Sequence, residues 1–342
     1  MAGIDLKSMT TEELSLFLAE MGEPKFRAKQ IFSWLHQKSV ISFDEMTNLP
    51  NSLREKLKNS TYITSFKILK KLTSEIDGTI KYLFELNDKE LVETVLMRYE
   101  HGNSICVSSQ VGCRMGCEFC ASTKAGFVRH LTPSEILEQI YAVSRDLDEK
   151  ISNVVLMGIG EPLDNFDNVI KSLKLVSSPD GLCLSHRHIS LSTCGLVDRI
   201  YELADMNLQI TLSISLHATD DETRSSIMPI NRKYNITKLL DACKYYTDKT
   251  HRRISYEYAL IKGVNDTKAQ AVSLAKLLKG RLCHINLIPV NYVVEAGFEK
   301  GSKESVYAFM KTLNDKGINA TVRRTLGSDI NAACGQLRRQ EM

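Results

Sequence analysis

The chain has 342 residues, of which 43% are hydrophobic and 25% charged, and its 44 Lys and Arg residues nearly balance its 41 Asp and Glu residues. This composition is typical of a globular protein and excludes intrinsic disorder as the main state. No apolar run approaches the roughly 18 residues that a membrane span requires, and the N-terminus lacks the basic flank and apolar stretch of a signal peptide. We therefore expect a cytoplasmic protein with no membrane partner, in which the nine cysteines are metal ligands, redox groups or core residues rather than a disulfide framework.

Residues 1–60 are predicted to form a small helical module, because apolar residues recur at helical spacing in TEELSLFLAEM and KQIFSWLHQ. Within it, residues 24–38 combine basic and aromatic side chains and contain no acid. Such a segment can contact nucleic-acid phosphates, or it can be a solvated helix face whose aromatic residues belong to the core. Composition alone favours the second interpretation, both here and for a second basic cluster near the C-terminus. The residues are Lys25, Phe26, Arg27, Lys29, Phe32, Trp34 and Lys38, and then Arg323, Arg324, Arg338 and Arg339.

The pattern becomes extended between residues 61 and 100, where three apolar runs are separated by turn signals near Asp77 and Asn87. This predicts hairpin strands that lead into the main domain. Beyond residue 103, β-rich runs alternate repeatedly with amphipathic helical stretches, from SICVSS to ATVRR. Repeated βα units of this kind predict an α/β fold with a parallel sheet and outer helices, and six or more in series favour a barrel or an incomplete barrel over an open sheet.

In a parallel barrel, functional residues follow the C-terminal ends of the strands, where separate loops converge on one pocket. Here the first strand leads into VGCRMGCEFCAS, and later strands lead into further polar or ligating residues. We expect these residues to line one pocket. They are Gly160 and Glu161 after the second strand, Ser192 after the third, Ser215, Leu216 and His217 after the fourth, and Asn291 after the sixth.

Three cysteines of the first loop, Cys113, Cys117 and Cys120, form a C-x3-C-x2-C motif. Full ligation of a [4Fe–4S] cluster takes four thiolates, so three cysteines leave one iron free to bind a substrate or cofactor. The alternative is a zinc site completed by His101 or His130, since tetrahedral zinc accepts three Cys ligands and one His. We favour the cluster, because structural zinc sites prefer C-x2-C pairs and the loop follows the first strand of a predicted barrel.

The cysteine motif, with Phe119 before its last cysteine and GEP after the second strand, resembles that of the radical S-adenosylmethionine (SAM) enzymes. More closely, VGCRMGCEFC, MGIGEP, LSTCG, SLHATDDETRSSIMPIN, NLIPVN and DINAACGQL resemble the motifs of the RlmN/Cfr family of RNA adenine methyltransferases. The resemblance covers nearly the whole chain and includes the order of the motifs. It implies an RNA-binding helical accessory domain (residues 1–60), a β-hairpin extension (61–100) and an incomplete (β/α)6 TIM-like radical SAM barrel (101–342) with a catalytic cysteine loop at its C-terminal end.

The resemblance also implies the cofactors and their ligands. Cys113, Cys117 and Cys120 would hold one [4Fe–4S] cluster, whose open iron chelates SAM, and two SAM molecules would be used per turnover. Gly160 and Glu161 would meet the methionine amino group. The ribose, carboxylate and adenine of SAM would be contacted by Ser192, Ser215, Leu216, His217 and Asn291. One departure is Cys194 in LSTCG, where serine is commoner in the family, and it adds a thiol near the cofactor.

The family's chemistry assigns three further residues. Adenine C2 has no lone pair, and its hydrogen is too weakly acidic for a side chain to remove, so a radical is needed. By the resemblance, Cys334 carries the methyl group, Cys106 resolves the RNA–enzyme link by forming a disulfide with Cys334, and Glu93 is the acid or base. Without the resemblance, Cys106 would be a buried strand cysteine and Glu93 a solvent-facing strand residue. A core position is expected for Cys183, Cys243 and Cys283.

Three alternatives remain open on the sequence. The first is Cfr-type methylation of adenine C8, which confers antibiotic resistance, although Pro162 and Pro289 resemble the C2 branch. The second is a radical activase or maturase acting on a protein, which would have no use for Cys334. The third is a zinc-stabilised RNA-binding protein. The expected partners are 23S rRNA, tRNA and an electron donor such as flavodoxin or ferredoxin, and the protein is expected to be a monomer.

Overall fold

The computed structural model of the protein describes residues 3–289 and 301–332. Its N-terminal part is helical, and its first helix begins with a capping box in which the Thr10 hydroxyl accepts from the backbone N–H of Glu13. Apolar faces of the helices bury Leu14, Leu18 and Ile31. The elements are β1 (Ile4–Asp5), α1 (Thr11–Glu20), α2 (Phe26–His36), α3 (Asn51–Ser60) and β2 (Thr61–Tyr62), and β1 pairs with β2.

The basic segment 24–38 forms α2 and its flanks, and its aromatic residues differ in exposure. Phe32 is buried, Trp34 is half-buried, and Phe26 is 58% exposed. The Lys38 ammonium lies 3.5 Å from the centroid of the Trp34 ring. Only part of the segment therefore belongs to the core, and the rest is a basic and aromatic surface.

A ten-stranded sheet runs through the rest of the described chain. Its strands are β3 (Lys67–Thr73), β4 (Ile80–Glu85), β5 (Leu91–Tyr99), β6 (Gly102–Cys106), β9 (Ile151–Leu156), β10 (Ile189–Thr193), β11 (Thr211–Ser215), β12 (Ile254–Leu260), β13 (Cys283–Pro289) and β14 (Ala320–Val322), while β7 (Gln110–Gly112) and β8 (Phe127–His130) form a separate pair. The order is β14-β13-β12-β11-β10-β9-β6-β5-β4-β3. Within this sheet, β6 and β9 to β14 pair in parallel, and β3 to β6 pair antiparallel.

Helices alternate with the parallel strands, as the βα pattern of the sequence predicts. They are α4 (Ala121–Lys124), α5 (Pro133–Leu147), α6 (Phe166–Ser177), α7 (Val197–Asp205), α8 (Asp221–Ile227), α9 (Ile236–Thr250), α10 (Lys268–Leu278) and α11 (Lys303–Asp315). The predicted α/β class is confirmed, with β14 and β3 at the two edges of the sheet in the described part of the chain. The hairpin strands continue the same sheet, and the proposed domain boundaries stay a prediction.

Buried polar contacts join the N-terminal helices to α5. Lys7 Nζ donates to a carboxylate oxygen of Glu138 and to the carbonyl of Thr64, both at 2.6 Å, and both side chains of the ion pair are fully buried. His36 Nδ1 lies 2.8 Å from the hydroxyl of Tyr141. Separating such groups would leave a buried charge and a buried polar group unpaired, so these contacts fix the helices on α5.

The cysteines expected in the core are not all there. Cys243 is buried on α9, Cys283 is only half-buried at the start of β13, and Cys183 is exposed. The core prediction is therefore wrong for Cys183, which lies in the loop between α6 and β10 with a positive φ of 54°. In the described chain, no helix has the length and apolar character needed to span a membrane.

Candidate active site

The three cysteines of the motif line a cavity of about 290 Å³ at the C-terminal ends of the parallel strands. Their loop connects β7 to β8, and the antiparallel pairing of these two strands holds the ends of the loop together. A Cβ at Gly112, where φ is 76°, would lie 1.7 Å from the carbonyl oxygen of Gly126, so only glycine permits this approach. The Glu118 backbone N–H donates to the Ile227 carbonyl at 3.0 Å and attaches the loop to the end of α8.

The thiols of this loop fit a multi-iron cluster. Burial raises the pKa of Cys113 to about 12 and also raises that of Cys117, so both thiols stay neutral until positive charge arrives. Among the described residues, no three His, Cys, Asp or Glu side chains are close enough to hold a single metal ion. A [4Fe–4S] cluster has a wider spacing, because each cysteine binds a different iron.

The histidines considered for a zinc site have other contacts. His101 is exposed and stacks on Tyr99 with ring centroids 5.0 Å apart. His130 Nδ1 lies 3.0 Å from Gln110 Nε2. Neither histidine is among the described residues that line the cavity. The geometry therefore favours the cluster over a zinc site with three Cys ligands and one His.

Glu161 is a buried carboxylate in the loop that follows β9, and it lines the same cavity. Its oxygens accept from the backbone N–H of Cys194 at 2.7 Å and of Leu163 at 3.0 Å. Burial raises the pKa of Glu161, and these backbone donors lower it. A Cβ at Gly160, where φ is 107°, would lie 2.6 Å from the Gln110 Cβ, so glycine lets the loop approach β7. The carboxylate is thus held in one orientation, with remaining lone pairs for a cationic ligand.

The ends of β10 and β11 supply more of the wall. Ser192 and Ser215 line the cavity, as does His217. His217 Nδ1 accepts from the Ala259 backbone N–H at 2.9 Å, and burial lowers the pKa of His217 to about 3, so its ring is neutral. Leu216 differs, because its side chain lies in the main core and is not among the described residues around the cavity.

Two charged residues near the first cavity, Arg224 and Glu257, were not predicted as site residues from the sequence. The Arg224 guanidinium is fully buried and donates to the carbonyls of Cys194 at 2.7 Å and Ser215 at 3.0 Å, which ties together the ends of β10 and β11. Glu257 lies on β12, lines the cavity and accepts from Asn286 Nδ2 at 2.7 Å. The sequence did contain a signal for Glu257, since it is a charged residue inside the apolar strand ISYEYALI.

A second cavity, of about 200 Å³, adjoins the first and contains Glu93 and Cys106. Among the described residues, four line both cavities, and Ala332 lies in the wall of the second. Although Cys106 as a residue is partly exposed, its thiol is surrounded, and burial raises the thiol pKa to about 11. Glu93 is buried and not solvent-facing. The shared residues are Met157, Gly158, Ile288 and Arg323.

Glu93 is paired with Lys81. The Lys81 ammonium lies 3.0 Å from a carboxylate oxygen of Glu93, and both side chains are almost completely buried. Lys81, Val95 and Cys106 are register partners on β4, β5 and β6. The predicted site residues Asn291 and Cys334 lie outside the described residues.

A partial parallel barrel with a three-cysteine loop beside its strand ends defines the radical SAM superfamily, whose family model matches residues 107–275. Residues 4–63 match the model of the ribosomal RNA large subunit methyltransferase N-terminal domain. A solved radical SAM methyltransferase from Sphaerobacter thermophilus is 42% identical and superposes with a TM-score of 0.93 over 97% of this chain and 98% of that one.

Curated relatives specify the family further. A protein from Clostridium novyi (strain NT) is 54% identical over 98% of both chains. One from Alkaliphilus oremlandii (strain OhILAs) is 56% identical over 100% of this chain and 99% of that one. Both are named "Probable dual-specificity RNA methyltransferase RlmN". The chain belongs to the RlmN family of radical SAM RNA methyltransferases.

Proposed function

We propose that the protein methylates C2 of adenine in 23S rRNA and in tRNA through an S-methylcysteine on Cys334. The observation that carries the proposal is the pair of adjoining cavities. One is lined by the three cysteines and Glu161, and the other contains Cys106 and Glu93. This arrangement supports a cofactor site that opens directly onto a substrate site.

The first cavity suits one [4Fe–4S] cluster and SAM. Cys113, Cys117 and Cys120 would hold the cluster, and Glu161 would accept hydrogen bonds from the SAM ammonium. Ser192, Ser215 and the neutral ring of His217 would contact the rest of SAM, together with Asn291. When bound, these cofactors supply one methyl group and one carbon radical, which accounts for two SAM molecules per turnover. Leu216 would contribute through its backbone.

In the second cavity, the residues of the chain act on the methyl group and the base. The Cys334 thiolate accepts the methyl group by displacement, as sulfur is the best side-chain nucleophile. After the carbon–carbon bond to adenine has formed and the adduct radical has given up one electron, which a bound cluster would take back, Glu93 takes the proton from C2. The Cys106 thiolate then attacks the Cys334 sulfur, the bond between that sulfur and the methylene carbon breaks, and the carbon takes up a proton to become the methyl group. This releases methylated RNA and leaves a Cys106–Cys334 disulfide that an external thiol must reduce.

The named relatives support C2 over the C8 alternative, since they carry the RlmN name. The basic and aromatic surface of α2 supports contact with RNA phosphates by the N-terminal helices. We propose a cytoplasmic monomer that receives its electron from flavodoxin or ferredoxin.

Nucleoside mass spectrometry of rRNA and tRNA from a deletion strain tests the function. We expect 2-methyladenosine to disappear from both RNAs, to return with the wild-type gene, and not to return with Cys334→Ala. Loss of 8-methyladenosine instead would support the C8 alternative. Unchanged methyladenosine in the deletion strain would refute both.

A further inference from the structure

The segment that leads to Cys334 is attached to a distant turn. We call residues 327–332 the C-terminal segment and residues 74–79, between β3 and β4, the hairpin turn. The Asp329 carboxylate accepts from the Ser74 hydroxyl at 2.7 Å and from the Glu75 backbone N–H at 2.9 Å. In the opposite direction, the Gly327 backbone N–H donates to Asp77 Oδ2 at 2.9 Å. Contacts therefore run both ways between two parts of the chain about 250 residues apart.

The backbone of the segment is shaped for this contact. Gly327 has a φ of 59°, and a Cβ there would lie 2.6 Å from the Ala332 Cβ and 3.1 Å from Thr79 Cγ2. The backbone N–H of Ala332 donates to the Gly327 carbonyl at 3.0 Å, which closes the segment into a compact loop. Glycine is thus needed at position 327 for the loop to lie on the hairpin turn.

Lys81 connects this segment to the second cavity. Its ammonium donates to the Asn331 carbonyl at 3.0 Å and lies at the same distance from the Glu93 carboxylate. The Lys81 side chain is fully buried, so both contacts replace hydration that the ammonium has lost. One cation therefore contacts the proposed acid or base and the backbone three residues before Cys334.

A buried cation of this kind favours a single arrangement. Moving Asn331 away would remove one acceptor from the ammonium, and removing the charge of Glu93 would take away its counter-ion. Loss of either contact therefore disturbs the other, because both are made by the same Lys81 ammonium. The position of the segment and the charge at Glu93 are therefore linked through Lys81.

We propose that the hairpin turn and Lys81 form the docking site of the C-terminal segment, with Lys81 as a positioning residue that links docking to the charged Glu93. This inference rests on the proposed function only for its catalytic consequence. Docking itself can be measured without RNA. Its expected role is to hold the backbone that precedes Cys334 beside the second cavity, whose lining includes Ala332.

The test is amide hydrogen exchange on the reconstituted full-length enzyme, kept anaerobic. In Asp329→Ala, which loses two hydrogen bonds at an exposed side chain, we expect exchange of the 327–332 amides to rise roughly tenfold. The matched control is Asp315→Ala, an exposed carboxylate on α11 that pairs with Lys311. The control should leave exchange in the C-terminal segment unchanged.

The same two variants are then assayed for methylated RNA and for 5′-deoxyadenosine. We expect Asp329→Ala to lower the ratio of methylated RNA to 5′-deoxyadenosine at least fivefold, while 5′-deoxyadenosine formation stays within twofold of wild type. Asp315→Ala should match the wild type in both. Wild-type exchange and wild-type ratio in Asp329→Ala would overturn the inference.

Lys81→Met tests the link to Glu93. We expect faster exchange of the segment, and no further increase when Asp329→Ala is added, because both substitutions release one docked state. Additive increases would overturn the role of Lys81. If Lys81→Met does not fold, Asp329→Ala still decides the docking site. A wild-type enzyme that methylates no RNA would refute the proposed function, while the exchange results would still decide the docking.

Discussion

The three thiols of the cysteine loop line the first cavity together with the thiol of Cys194, and burial raises the pKa of Cys113 and Cys117, which stay neutral until a metal binds. Cys113 and Cys117 are buried and Cys120 is half-buried, whereas Cys183 is exposed in the loop before β10. The structure thus separates the motif cysteines, which line a cavity, from Cys183, which lies at the surface and not in the core. This difference provides an internal control for the cluster assignment.

Cys117→Ala is expected to abolish cluster binding, because two cysteines cannot hold a [4Fe–4S] cluster with one open iron. Iron and sulfide analysis of the anaerobically purified protein measures this. Cys183→Ala should keep the iron content of the wild type. Full iron content in Cys117→Ala would contradict the assignment of the loop.

Cys106→Ala should leave carbon–carbon bond formation intact and remove the thiol that cleaves the RNA–Cys334 link. Enzyme covalently attached to RNA should accumulate, visible on a denaturing gel as a shifted band that ribonuclease removes. Cys243→Ala is the control, since this buried thiol on α9 lies outside both cavities and its loss costs only about 1 kcal/mol of stability. Normal product without a shifted band in Cys106→Ala would make Cys106 a core residue only.

At the scale of elements, hydrophobic periodicity was sufficient to predict the strands and helices of the barrel. It was insufficient to predict the contacts between elements that are distant in sequence. The βα alternation predicted β6 and β9 to β14 because these strands are short and apolar and alternate with helical repeats. The small pair of β7 and β8 has no such signal, since it forms around the cysteine loop. The role of Lys81 could not be predicted, because its acceptor Asn331 is 250 residues away in the sequence. Without knowledge of the buried Lys81 ammonium beside it, the sequence favours a solvent-facing position for Glu93.

The packing of α2 against α5, where His36 contacts the Tyr141 hydroxyl, is expected to weaken in acid. Burial lowers the pKa of His36 to about 3, against 6.5 in the unfolded chain, so the unfolded state binds more protons between these values. Stability therefore rises with pH across this window and is lost as pH falls below 6.5. The loss should be about 2 kcal/mol at pH 5 relative to pH 7.

His36→Asn should remove this pH dependence, because the Asn side-chain oxygen can still accept from the Tyr141 hydroxyl and does not titrate. Urea unfolding of both proteins at pH 7 and pH 5 gives the comparison. His217, whose pKa is also lowered to about 3, contributes equally in both proteins. Equal pH dependence of wild type and variant would show that His36 is protonated in the folded state.

Over the whole molecule, charge is nearly balanced, with a formal net charge of +3, so RNA affinity has to come from local surfaces. The N-terminal helices present such a surface. Buried polar contacts with α5 fix these helices to the barrel. Lys25 is exposed at the start of α2, and Lys38 follows its end with the ammonium over the Trp34 ring. An RNA held there would be oriented relative to the second cavity by the rigid connection through α5.

Replacing Lys25 and Lys38 together by Ala should weaken RNA binding and reduce the slope of log affinity against log salt concentration by about 1.5, because two phosphate contacts are lost. Cluster content and SAM cleavage should not change, since neither residue lines the cofactor cavity. The matched control replaces Lys244 and Lys311, two exposed lysines on α9 and α11 that pair with acids one turn away. Fluorescence anisotropy with a labelled RNA over a salt series measures both slopes. Equal slopes for the two double variants would exclude α2 as an RNA contact and return its basic residues to a solvated helix face.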